Sequence, residues 1–273
     1  MSISTASFET LKLEVAGKEI HMNVGGAGAP LIYLHSAGGE TEWMPFHKSL
    51  SQHFRVHAPA HPGFGRSTGL EQIDDIHDMA WHYVDLFEQL GWQQVPVVGF
   101  SLGAWIALEI AILRPGLISQ LVLVAAAGIR VEGAPVAELF LSDFKEARDL
   151  VFFDPESPVV KTAMPLTFDD SRVLMWMRAQ EATARVGWTP YLHNPKLPQH
   201  LHRVQCPVEI IWGRNDKLIP VAHGEYYAQN LPNASLTVLE QCGHMVPFEK
   251  QEEFVQAVVE FNGLESGTRR TAK

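Results

Sequence analysis

Ser101 stands in Gly99-Phe100-Ser101-Leu102-Gly103, with a glycine two residues to either side. Val95-Pro96-Val97-Val98 before it is a short apolar, β-branched run that reads as a buried strand. Ala104 to Ala111 after it reads as a helix, stopped by Arg114-Pro115-Gly116. A serine between a strand and a helix, flanked by glycines, is the nucleophile-elbow arrangement. The sharp turn strains the backbone at the serine, and glycine at the flanking positions removes the Cβ atoms that would collide. The helix that follows turns its positive end and free N–H groups toward the hydroxyl, so the Leu102 N–H is an expected oxyanion donor. Serine is a weak nucleophile until a base takes its proton, and the base must be held in one tautomer by a third group. In a parallel sheet the carboxyl ends of the strands share one edge, where ligands bind. Asp216 lies just past the apolar run 208–212, and His244 just past 236–239. Both follow Ser101 in the order Ser, Asp, His that belongs to this kind of elbow.

Twelve other histidines compete with His244: His21, His35, His47, His53, His57, His61, His77, His82, His193, His200, His202 and His223. His244 differs in following a terminal strand and a glycine, and the others are read as structural or surface groups. Asp143, Asp154, Asp169 and Asp170 are the rivals of Asp216, and all lie in a segment without strands. Cys242 has no elbow around it and reads as a buried thiol. Gly25-Gly26-Ala27-Gly28 opens no helix, so it is not a dinucleotide fingerprint. No His-Glu-x-x-His or paired Cys/His motif occurs. Neither a metal nor another cofactor is expected. Arg66 reads as a surface charge.

The elements around these residues alternate. Residues 8–24 read as a hairpin turning at Ala16-Gly17-Lys18. Strands are expected at 31–34, 54–59, 95–98, 121–125, 208–212 and 236–239, and helices at 43–52, 73–90, 104–111, 224–230 and 251–261. Such βα alternation gives a mostly parallel sheet. Between 129 and 204 the alternation breaks. Helices are expected there at 136–153 and 170–186, amid Pro155, Pro158, Pro165, Pro190, Pro195 and Pro198. The expected organisation is a core of 1–128 with 205–263, a helical insertion of 129–204 between them, and a disordered tail of 264–273. Phe152, Phe153, Met175, Trp176, Met177 and Trp188 are candidates to line a pocket for an apolar acyl or aryl compound.

Bulk properties narrow the class. The chain of 273 residues is 46% hydrophobic and 19% charged, as suits a globular enzyme. Its net charge of -10, with no Lys/Arg cluster outside the extreme C-terminus, would repel a phosphate backbone, which argues against nucleic-acid binding. Two cysteines make no disulfide framework, the start has no basic region followed by an apolar core, and no apolar run is long enough to span a membrane. A soluble, cytoplasmic protein is expected.

The aggregate of His35–Gly39, 60–67, 99–103, 213–220 and 243–249 resembles the α/β-hydrolase family, over residues 10–261. The resemblance implies an α/β fold: an eight-stranded, mostly parallel sheet with helices on both faces and a helical cap over the carboxyl edge. It also implies that the second oxyanion donor is Ala37, after the strand 31–34. Family members often read His-Gly-x at that loop, whereas this chain reads His35-Ser36-Ala37, so Ser36 departs from the pattern. The expected catalytic set is Ser101, His244 and Asp216, with Leu102 and Ala37 binding the oxyanion, in a serine hydrolase of carboxylic esters or related acyl compounds. Relatives that use aspartate at the nucleophile position, such as haloalkane dehalogenases and epoxide hydrolases, are disfavoured by Ser101. Two alternatives stay open. One is a meta-cleavage C–C hydrolase, although such relatives commonly carry tryptophan where Met245 follows His244. The other is a slow-turnover ligand-binding signalling protein on the same fold.

Overall fold

The computed structural model describes residues 8–140 and 143–264. The elements run β1 (Phe8–Val15), β2 (Lys18–Gly25), β3 (Pro30–Leu34), α1 (Pro45–Leu50), β4 (Arg55–Pro59), α2 (Ile76–Gln89), β5 (Val95–Phe100), α3 (Leu102–Leu113) and β6 (Ile118–Val124). They continue with α4 (Phe144–Val151), α5 (Val160–Ala163), α6 (Val173–Gly187), α7 (Leu197–His200), β7 (Val208–Gly213), α8 (Ala222–Asn230), β8 (Ala234–Leu239), α9 (Val246–Glu249) and α10 (Gln251–Phe261). The eight strands form one sheet in the order β1-β2-β4-β3-β5-β6-β7-β8. The β1–β2 and β2–β4 pairs are antiparallel, and every other pair is parallel.

β3 and β5 are neighbours, but the chain leaves β3 toward β4 on one side and resumes with β5 on the other. This is the switch point where loops at the carboxyl ends diverge and leave a crevice. The loop after β3 carries Ser36 and Ala37, and the turn after β5 carries Ser101. Every residue of β7 is buried, as are 31–34 of β3, so both faces of the central sheet are covered. β1 at the edge is exposed over residues 8–10 and alternates between half-buried and exposed over 11–14. α3 is buried all along 102–111 and has no polar stripe, because it packs on β5 with α2 against its other side.

The segment 129–204 holds α4 to α7 and no strand among its described residues. The expected helix over 136–153 is shorter: it begins at Phe144, where Asp143 accepts the Glu146 N–H at 2.8 Å. Before it, the backbone is tied sideways rather than coiled. Tyr191 Oη accepts the Leu139 N–H at 2.8 Å and donates to the Ala137 carbonyl at 2.9 Å. Residues 141–142 of that expected helix lie outside the described residues, as do residues 265–273 of the expected tail. The segment is anchored to the core by Glu109 of α3, which accepts from both Trp105 Nε1 at 3.0 Å and Asn194 Nδ2 at 2.8 Å. No helix among the described residues is long and apolar enough to cross a membrane.

Candidate active site

Ser101 sits between β5 and α3 with φ 52° and ψ -108°, a left-handed conformation that costs a non-glycine residue on the order of 1–3 kcal/mol. The glycines beside it have no room for a side chain. A Cβ on Gly99 would lie 2.5 Å from the Ala104 Cα, and one on Gly103 would lie 2.1 Å from the Leu34 carbonyl oxygen. The elbow therefore presses the start of α3 onto the end of β3. Leu102, the first residue of α3, has no intrahelical acceptor for its N–H.

Ser101, His244 and Asp216 come together although 143 and 28 residues separate the successive pairs. His244 Nε2 lies 3.0 Å from Ser101 Oγ, and His244 Nδ1 lies 2.8 Å from Asp216 Oδ2. All three residues are buried. Asp216 is itself fixed: its other oxygen, Oδ1, accepts the Leu218 and Ile219 N–H groups, each at 2.9 Å. The rival acids are elsewhere. Asp143 caps α4, Asp154 and Asp169 are exposed, and Asp170 pairs with Arg172 at 2.7 Å.

The loop that carries His244 is clamped by 129–204. The His244 N–H donates to the Val151 carbonyl at 2.8 Å, and a Cβ on Gly243 would lie 2.7 Å from the Phe153 nitrogen. Glu249 joins both sides, accepting the Gly243 N–H at 2.8 Å and the Phe153 N–H at 2.7 Å. Sequence reading gave Glu249 no role, because its partners are two backbone groups that only folding brings together.

The loop after β3 has its own scaffold. Ser36 Oγ donates to Glu40 Oε1 at 2.7 Å, its N–H donates to Glu40 Oε2 at 3.0 Å, and the same hydroxyl accepts the Gly38 N–H at 3.0 Å. This explains the serine that departs from the family pattern: its hydroxyl locks the loop to a buried carboxyl. Burial pushes the Glu40 carboxyl up, against the hydrogen bonds from Ser36. Glu40 was not singled out from sequence, since an acid in a Gly-rich loop carries no periodicity. Ala37 lies in this loop, and its carbonyl accepts the Thr183 hydroxyl of α6 at 3.4 Å.

Two of the histidines read as structural support the loop from beneath. The His35 and His61 rings pack with centroids 3.7 Å apart, His61 Nε2 lies 2.9 Å from the His35 carbonyl oxygen, and His61 Nδ1 bonds the Tyr83 hydroxyl. Burial lowers His35 to about 4 and His47 to about 3, and holds His61 well below its ordinary value. The unfolded chain takes up protons near pH 6.5 that these native rings refuse, so stability falls as pH drops through 6.5 toward 4. Glu40 and Glu249, raised by burial, bind protons more readily when folded and oppose the trend at its acid end. The melting temperature is expected to fall by about 5–10 °C between pH 7.5 and 5.5. Thermal denaturation at the two pH values checks this, and an unchanged or higher value at pH 5.5 contradicts it.

Ser101, His244, Ser36, Ala37, Glu40 and Gln180 line one cavity. The rest of its wall is mainly apolar, including Leu139, Val151, Met164, Trp176 and Leu218. No Lys or Arg is among the described residues that line it. Of the six apolar candidates from 129–204, only Trp176 lines this cavity. Met175 lines neighbouring grooves, Phe152 is fully buried, and Phe153, Met177 and Trp188 are exposed. Cys242 is buried and burial raises its thiol, while Arg66 is exposed, both as expected. Among the described residues, no three His, Cys, Asp or Glu side chains gather so as to hold a metal ion.

Known proteins resemble this chain in sequence and fold. A family model for the alpha/beta hydrolase fold matches residues 29–251. A pimeloyl-[acyl-carrier protein] methyl ester esterase from Nitrosomonas europaea is 31% identical over 253 residues, covering 86% of this chain and 96% of that protein. A 2-hydroxy-6-oxononadienedioate/2-hydroxy-6-oxononatrienedioate hydrolase from Burkholderia vietnamiensis is 27% identical over 263 residues, covering 89% and 90%. In fold, the chain matches the solved 2-hydroxy-6-oxo-6-phenylhexa-2,4-dienoate hydrolase from Rhodococcus sp. strain RHA1 with a TM-score of 0.77 at 23% identity, over 95% of this chain and 100% of that one. With the family model spanning the elbow and the loops of Asp216 and His244, and an esterase 31% identical over nearly its whole length, the chain belongs to the alpha/beta hydrolase fold family and is a hydrolase.

Proposed function

We propose that the chain cleaves uncharged carboxylic esters through an acyl-enzyme on Ser101. His244 Nε2 takes the proton as Ser101 Oγ bonds to the ester carbonyl carbon, and the Leu102 and Ala37 N–H groups receive the oxyanion. The bond to the alcohol oxygen breaks, and His244 gives its proton to that oxygen. Water then attacks the acyl carbon, again losing a proton to His244, and the proton returns to Ser101 as the acid leaves. Asp216 accepts the Nδ1–H of His244 and stabilises the imidazolium. Residues 129–204 act as the cap that covers this site, with 1–128 and 205–263 as the core. The substrate is a small molecule, the site is expected to work without a metal or other cofactor, and the chain is expected to act in the cytoplasm, away from nucleic acid and membrane.

The observation that carries this reading is the unbroken Asp216–His244–Ser101 chain of 2.8 Å and 3.0 Å contacts, opening into a largely apolar cavity. The same cavity weighs against the C–C hydrolase alternative. A dienedioate, as in the name of the Burkholderia relative, carries two carboxylates, and the described residues of the wall offer no cation to pair with them. Desolvating an anion without a partner is costly. The purified protein is expected to turn over a short aryl ester steadily, with kcat/KM at least about tenfold above that for a 2-hydroxy-6-oxodienoate. A higher kcat/KM for the dienoate overturns the ester assignment. A single burst without steady turnover on every ester favours the signalling alternative.

A further inference from the structure

Of the consecutive backbone N–H groups at Ser36, Ala37, Gly38 and Gly39, all but that of Ala37 are held by one small unit. The Ser36 N–H donates to Glu40 Oε2 at 3.0 Å, the Gly38 N–H to Ser36 Oγ at 3.0 Å, and the Gly39 N–H to the Ser36 carbonyl at 3.1 Å. The Ser36 hydroxyl closes the unit by donating to Glu40 Oε1 at 2.7 Å. The Ala37 N–H between them is the donor that the proposed reaction needs for its oxyanion. Resting on that reading, we infer that Glu40 is a positioning residue, which acts through Ser36 to aim the Ala37 N–H and does not itself contact the reacting atoms.

The direction of the Ala37 N–H is a property of the peptide plane it shares with the Ser36 carbonyl. A trans peptide is planar with its N–H pointing away from its C=O, and the Ser36–Ala37 bond is trans. Whatever fixes Ser36 therefore fixes that N–H. The Ser36 carbonyl accepts from the Gly39 N–H and lies 2.8 Å from His35 Nδ1. His35 Nε2 accepts the His61 N–H at 3.0 Å, so the ring proton is on Nδ1 and points to that carbonyl. These bonds hold one side of Ser36, and Glu40 holds the other, at the N–H and the hydroxyl. Without the carboxyl both donors lose their acceptor, and the hydroxyl is free to turn away from Gly38. Position 38 is shaped to the same group, since a Cβ on Gly38 would lie 2.5 Å from Glu40 Oε1. Burying a carboxyl is costly, and here both of its oxygens serve this loop. An oxyanion donor acts on the transition state, so an error in its aim lowers kcat rather than substrate binding. Glu40 also interacts electrostatically with His244, so the test has to separate geometry from charge.

Two readouts test this together: steady-state kinetics on a short aryl ester, and the affinity for an aryl trifluoromethyl ketone, whose adduct with the Ser101 hydroxyl carries the same oxyanion. In Glu40→Ala, kcat and ketone affinity are each expected to fall by about 10–100-fold, with KM within about threefold of wild type. In Glu40→Gln the amide oxygen accepts the Ser36 N–H and the NH₂ donates to Ser36 Oγ, so the loop stays tied without the charge. Both quantities should then recover to within about fivefold of wild type. Ser36→Ala cuts the link from the other side and should lose about tenfold in both, which decides the matter if Glu40→Ala does not fold. The inference is overturned by wild-type values in Glu40→Ala or Ser36→Ala, by a change in KM alone, or by a fall in kcat with unchanged ketone affinity. Glu40→Gln as slow as Glu40→Ala also overturns it, because Glu40 then acts as a charge on His244. Each of these results in a protein that hydrolyses the ester leaves the proposed activity standing. Ketone affinity that depends on Glu40 in a protein that turns over no ester keeps this inference and overturns the activity, and a wild type that neither turns over ester nor binds the ketone overturns both.

Discussion

Ser101→Ala is expected to lower kcat on a short aryl ester by on the order of 10⁵–10⁶, with the melting temperature close to wild type. The two parts of this expectation have separate causes. Ser101 Oγ makes its hydrogen bond to His244 Nε2, so its removal takes away the atom proposed to attack the carbonyl. The backbone at 101 has φ 52°, and alanine carries the same left-handed strain as serine there, so the elbow gains no new strain. Steady-state kinetics and thermal denaturation on the same preparation check both parts. A variant with turnover within tenfold of wild type would remove Ser101 from the mechanism.

Asp216→Asn carries the second-largest expected effect, roughly 10⁴ in kcat. Asp216 Oδ1 is committed to the Leu218 and Ile219 N–H groups, and only an oxygen can accept from them. The asparagine amide must therefore keep its oxygen on that side and turn its NH₂ toward His244 Nδ1, 2.8 Å away in the native protein. An NH₂ in that place donates, so Nδ1 has to accept and the ring proton moves to Nε2. Nε2 then cannot take the proton of Ser101. The Leu218 and Ile219 hydrogen bonds survive, so the fold should be kept. The paired control is Asp143→Asn, on the exposed cap residue of α4, which is expected to change kcat by less than twofold, about what a surface substitution does. A small effect at Asp216 beside a large one at Asp143 reverses the assignment.

Much of this site could be read from sequence because its positions follow from backbone rules. The runs that became β3, β5 and β7 are apolar without alternation, as strands covered on both faces must be, and their ends locate Ser101 and Asp216. The glycines at 99 and 103 are explained by contacts of 2.5 Å and 2.1 Å that a Cβ would make. What escaped depends on side chains that meet only in the fold. A helical pattern fits residues 136–153, but the Tyr191 hydroxyl, more than fifty residues away in the chain, takes the Leu139 N–H, and the described residues 136–140 are not helical. Trp176 and Met177 look equivalent in sequence. The packing of α6 on the loop after β3 turns Trp176 to the cavity and leaves Met177 53% exposed. Ser36 departs from the family's glycine, and its partner, the buried Glu40 carboxyl, is met only in the fold.

The central claim is that the reaction passes through a covalent bond to Ser101, and mass spectrometry of the trapped protein tests it most directly. Wild-type protein treated with a fluorophosphonate, or quenched in acid during turnover of a short aryl ester, should gain the mass of one adduct. Peptide mapping should place that adduct on Ser101. The adduct should be absent in Ser101→Ala and form more slowly in Asp216→Asn, where His244 holds its proton on Nε2. An adduct on any other residue, or steady ester turnover in Ser101→Ala, would contradict the account.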